Sequence, residues 1–75
     1  MKNLFTERET EVLKLTAKGK TNQEIAEELF ITIHTVKAHV ASILRKINGK
    51  NRLDIIFWAL KNGVINTSKE IISKS

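Results

Sequence analysis

Punctuation at helix ends, more than any global property, limits how this chain can fold. Thr6 with Glu9 and Thr21 with Glu24 both have the spacing of a capping box. In that device a hydroxyl takes an amide proton of the first turn and the carboxylate three residues on reaches back. Thr32 and Asn51 stand as N-caps before two further apolar runs, and Gly19, Gly49 and Gly63 stand at helix ends. These signals predict helices over about 7–18, 22–29, 33–47 and 52–62, joined by tight turns. The expected fold is therefore all-α, a four-helix domain spanning residues 1–75. Residues 66–75 read as either a short extra helix or a frayed tail.

The apolar positions agree with those limits. Val12, Leu13, Leu15 and Ala17 supply one side of the first helix; Ile25, Ala26 and Leu29 supply the inner side of the second. Ile33, Val36, Val40, Ile43, Leu44 and Ile47 follow a 3.6-residue period along the third. Phe30-Ile31-Thr32 reads as a packed turn because two of its three residues are apolar. Val64 and Ile65 are expected to fold back on the core.

Charge is distributed unevenly. From Leu29 to Leu53 there is no acidic residue, but there are Lys37, Arg45, Lys46, Lys50, Arg52 and two histidines, His34 and His39. The rest of the chain is close to balanced, so the net charge of +5 sits on this stretch. A positive field gathered on one helix beside a neutral body suits a polyanion-binding module.

A helix of about eight residues, a three-residue turn and a longer basic helix make a helix-turn-helix, whose second helix enters the DNA major groove. Ala26 is small where the two helices approach. Val36 and Val40 face inward. The opposite face carries His34, Thr35, Ala38, Ser42 and Arg45, with Lys37 and Ala41 at its edge. The short residues Ala38, Ala41 and Ser42 let the helix sit close to base edges, and Lys37 reaches a guanine or a phosphate. Arg45 and Lys46 are expected at the sugar-phosphate rim. Thr21, Asn22, Thr32 and Thr35 lie at helix starts, where amides and the dipole favour phosphate. Lys20, Lys50 and Arg52 are expected to flank the duplex.

The runs Phe5-Thr6-Glu7-Arg8-Glu9, Glu11-Val12-Leu13, Ala17-x-Gly19, Thr21-Asn22-Gln23-Glu24-Ile25-Ala26, Leu29-x-Ile31, Thr35-Val36-Lys37-x-His39 and Ile43-x-x-Lys46-Ile47 together resemble the LuxR-type (GerE-like) helix-turn-helix family. The resemblance covers about residues 4–65. It implies a bacterial transcription regulator domain that binds promoter or operator DNA as a dimer. In the family such a domain is often the C-terminal effector of a response regulator, and RNA polymerase is a further candidate partner.

The last predicted helix carries Ile55-Ile56-Phe57-Trp58-Ala59-Leu60, an apolar run that no single packed face can bury. One side is expected on the core and the other against a partner. Leu53, Phe57 and Leu60 are assigned to a homodimer seam, Ile55 and Ala59 to the core; Ile56 and Trp58 fit either. Family members dimerise through this helix.

Other functions are less well served. With no cysteine there is no disulfide framework and no thiolate metal site, as in the reducing cytoplasm. His34 and His39 lie on different sides of their helix, so neither a metal nor another cofactor is expected. No apolar run approaches the roughly 20 residues of a membrane span, and the N-terminus lacks a signal-peptide core; a cytoplasmic protein is expected. No nucleophile, phosphate loop or carboxylate pair suggests an enzyme. The alternatives are a protein-interaction module and a sigma-factor-like promoter-reading domain.

Overall fold

A computed structural model of the chain describes residues 4–65. Among these residues there are four helices and no strand: α1 (Glu7–Ala17), α2 (Asn22–Leu29), α3 (Ile33–Ile47) and α4 (Arg52–Lys61). The expectation for residues 66–75 lies outside the described residues. The two Thr-Glu capping boxes are both formed. The Glu9 amide donates to Thr6 Oγ1 (3.1 Å) and the Thr6 amide to Glu9 Oε1 (3.0 Å). Thr21 and Glu24 repeat the pattern at α2. Asn51 heads α4 in the same way, with Asp54 as its reciprocal partner.

The α1 helix packs against α3 and α4, and α2 packs against α3. Val12, Leu13, Ile25, Val36, Ile43 and Ile55 are almost completely buried where these helices meet. Phe5 closes one end, its ring set edge-on to Trp58 at a centroid distance of 5.2 Å. A smaller cluster joins Ala17, Ala59 and Ile65, with Leu60 and Val64 against it. The last residues described thus do return to the core.

Three local expectations need correction. Phe30 is 93% exposed, so the α2–α3 turn is packed only through its neighbours Leu29 and Ile31. Phe30 adopts the left-handed conformation (φ 58°), and the Ile31 amide bonds back to Ala26 O at 3.0 Å. This closes α2 as a Schellman turn and sends the Phe30 ring outward. Asn48, not Gly49, takes the left-handed position after α3 (φ 58°). Gly49 is closely packed: a Cβ there would stand 3.0 Å from Asp54 Cβ and 3.2 Å from the Ile47 side chain. Ile33, the first residue of α3, is 40% exposed rather than inward. A helical side chain leans toward the N-terminus, so that of Ile33 overhangs the packed region.

Candidate nucleic-acid interface

Val36, Val40 and Ile43 turn α3 onto the core. At about 100° per residue, the positions opposite them are His34, Lys37, Ala38, Ala41 and Arg45, an arc of about 100°. All five are exposed. The stripe therefore combines two full cations, a histidine and two alanines, with no carboxylate among them. Its alanines lie midway along the helix, with His34 and Arg45 toward its two ends, so the helix can approach a base-pair edge while its cations reach outward.

Thr32 caps α3, its Oγ1 accepting from the Thr35 amide (3.1 Å) and lying 2.9 Å from Thr35 Oγ1. Both threonines thus sit at the open N-terminal end of the helix. Thr21 occupies the matching place on α2. Lys50 is exposed beyond α3, and its backbone amide donates to Asp54 Oδ2 at 2.6 Å.

Four residues expected at the duplex are placed differently. Ser42 and Lys46 lie one turn apart on the α3 flank that faces α1, and both engage the buried Glu9. Ser42 Oγ donates to Glu9 Oε2 (2.6 Å) and Lys46 Nζ to Glu9 Oε1 (2.6 Å). Lys46 also stands 5.9 Å from the centre of the Phe5 ring. Their functional groups are thus drawn inward from the groove face. Arg52 donates from Nη1 to Asn22 Oδ1 (2.6 Å) and from Nη2 to Lys20 O (2.8 Å), so its guanidinium braces α2. Asn22 keeps only its amide nitrogen for an outside partner.

Glu9 itself carries the strongest electrostatic perturbation found. The Lys46 ammonium above all, then the Ser42 hydroxyl and the Thr6 amide, hold its carboxyl down from the usual 4.5 to about 2, against the upward push of burial. Its capping role was readable from the local spacing. Its contact with α3 crosses more than thirty residues and has no spacing signature.

On α4, Leu53 and Phe57 are 58% and 61% exposed, while Ile55 and Ala59 are fully buried. Leu60 departs from the expected seam: it is half-buried against the Ala17–Ala59–Ile65 cluster of its own chain. Trp58 packs on the core, and Ile56 is half-buried. The described residues hold no grouping of three or more His, Cys, Asp or Glu suited to a metal, and none of the helices is long and apolar enough to cross a membrane.

A short helix braced behind a longer one, whose outer stripe is cationic and free of acid, defines a helix-turn-helix DNA-binding domain. Residues 3–59 match the family model described as "Bacterial regulatory proteins, luxR family". The chain belongs to that family. It is 51% identical over 62 residues to the transcriptional regulatory protein LiaR of Bacillus subtilis (strain 168), a match covering 83% of this chain and 29% of that protein. It is 47% identical over 62 residues to the response regulator protein VraR of Staphylococcus aureus (strain NCTC 8325 / PS 47), covering 83% and 30%. To the oxygen regulatory protein NreC of Staphylococcus carnosus (strain TM300) it is 41% identical over 63 residues, covering 84% and 29%. The chain thus spans less than a third of the length of these relatives.

Proposed function

We propose that this chain is a single DNA-binding domain that controls transcription in the bacterial cytoplasm by reading promoter DNA with α3. The carrying observation is the exposed stripe His34–Lys37–Ala38–Ala41–Arg45 opposite the buried face of α3. Lys37 and His34 are the base-reading candidates, and Ala38 lets the helix come close. Thr21, Thr32, Thr35, Arg45, Lys50 and the Asn22 amide are assigned to phosphates and sugars, which set register without reading sequence. Two copies pair through Leu53 and Phe57, the exposed apolar residues of α4. The chain acts by binding, and no reaction is assigned to it. RNA polymerase is a further partner consistent with this role.

The test is a titration of the chain against a bacterial promoter set and random duplex at several salt concentrations. Binding should fall steeply with salt, and at least one promoter should be preferred. Lys37→Ala should reduce that preference by roughly tenfold. Lys50→Ala should weaken all duplexes alike and flatten the slope of log affinity against log salt by about 0.9. No duplex binding below about 100 mM salt would reject the reading, since phosphate contacts are strongest there.

A further inference from the structure

Arg52 is the first residue of α4 and Asn22 the first of α2. They are 30 positions apart in sequence yet joined at 2.6 Å, and the second arm of the same guanidinium holds Lys20 O at 2.8 Å. Arginine has donors only, in a rigid planar fork. It can therefore take the oxygen of the Asn22 carboxamide but never its nitrogen. With Oδ1 turned inward, Nδ2 must point the other way, and among the described residues it donates no hydrogen bond. A cation on the carbonyl side also polarises the amide and strengthens its N–H groups as donors.

We propose that Arg52 is a positioning residue for DNA binding: it fixes Asn22 with its amide directed at a backbone phosphate. It thereby ties the start of the helix assigned to pairing to the end of α2 assigned to the duplex. This rests on the DNA-docking reading above. Arg52 acts through Asn22 and not as a phosphate ligand itself, because its fork is already occupied by Asn22 and Lys20.

Arg52→Lys keeps the charge but loses the two-armed grip, and Asn22→Ala removes the donor. Each should weaken binding to a random-sequence duplex by roughly tenfold, the worth of one hydrogen bond to a charged group. Neither change deletes a cation, so the salt slope should stay that of the unaltered chain. The double variant Arg52→Lys/Asn22→Ala should bind no more weakly than Asn22→Ala alone. Asn22→Asp supplies a second arm: it preserves an oxygen for Arg52 and so preserves the brace, yet it has no N–H to give, and it too should bind weakly. Thermal melts are to establish whether each variant is folded at the assay temperature. Unaltered affinity in folded Arg52→Lys, additive losses in the double variant, or unaltered affinity in Asn22→Asp would each overturn the proposal. If Arg52→Lys does not fold, Asn22→Ala decides: unaltered affinity in that folded variant overturns the proposal. Failure of the unaltered chain to bind duplex would instead reject the DNA-docking reading.

Discussion

The two flanks of α3 use their polar groups in opposite ways. Toward α1, Ser42 and Lys46 are both drawn onto one buried carboxylate. Away from the core, His34, Lys37 and Arg45 face solvent beside alanines. A basic helix is thus not basic all round. Its interior flank consumes a cation to fasten the helix, and only what is left over is available to a polyanion. The contrast separates residues that hold α3 in place from residues that α3 presents.

The largest effect should come from the holding side. Ile43 is completely buried, and Ile43→Ala should cost about 3 kcal/mol or more. In a domain this small that corresponds to a fall of more than about 12 °C in melting temperature by calorimetry. A fall of a degree or two would show that the inner flank is not core.

Glu9→Gln comes next, with an expected loss of about 2 kcal/mol in urea unfolding, because the ion pair with Lys46 is lost and an NH2 group replaces one of the two oxygens that accept from Ser42 and Lys46. The pH dependence of the unaltered chain sharpens the point. Glu9 is held at about 2 in the folded state against 4.5 ordinarily, so the unfolded chain takes up the proton first on acidification. Its contribution is complete above about pH 4.5 and is lost as pH falls toward about 2. The Gln variant should lack that component, and parallel pH curves for the two proteins would remove Glu9 from its role.

Phe30 borders the presenting side. Its ring packs on almost nothing and its backbone is left-handed. Phe30→Gly should therefore raise stability by roughly 0.5–1 kcal/mol, the relief of backbone strain less the entropy glycine costs. A loss of stability would mean that the ring has an intramolecular contact. The smallest change in fold stability, within about 0.5 kcal/mol, is expected for Phe57→Asp, since the side chain is exposed. That variant should sediment as a monomer at concentrations where the unaltered chain pairs; a persistent dimer would place the seam elsewhere.

Helix boundaries were legible because capping is local. Thr6, Thr21, Thr32 and Asn51 each act within three residues of themselves, and α1 and α4 stop one residue before the expected positions. The outward stripe was legible because it is the complement of a periodic apolar face. What failed was non-local. Glu9 with Ser42 and Lys46, and Arg52 with Asn22, depend on how helices cross, which spacing does not encode. The Phe30 turn departs from its apolar composition because the left-handed backbone carries the ring outward. On α4, apolar residues run all the way round, so periodicity could not rank Leu60 against its neighbours; the small Ala17–Ala59–Ile65 cluster claims it.

Gly49 has a consequence of a different kind. The elbow from α3 into α4 closes with no clearance for even one methyl group, since Asp54 and Ile47 already occupy the place. Replacing this glycine with alanine would force Asp54 and the Ile47 side chain back by a few tenths of an ångström. The join between α3 and α4 is thus held tight by the hydrogen atom that stands at residue 49 in place of a carbon.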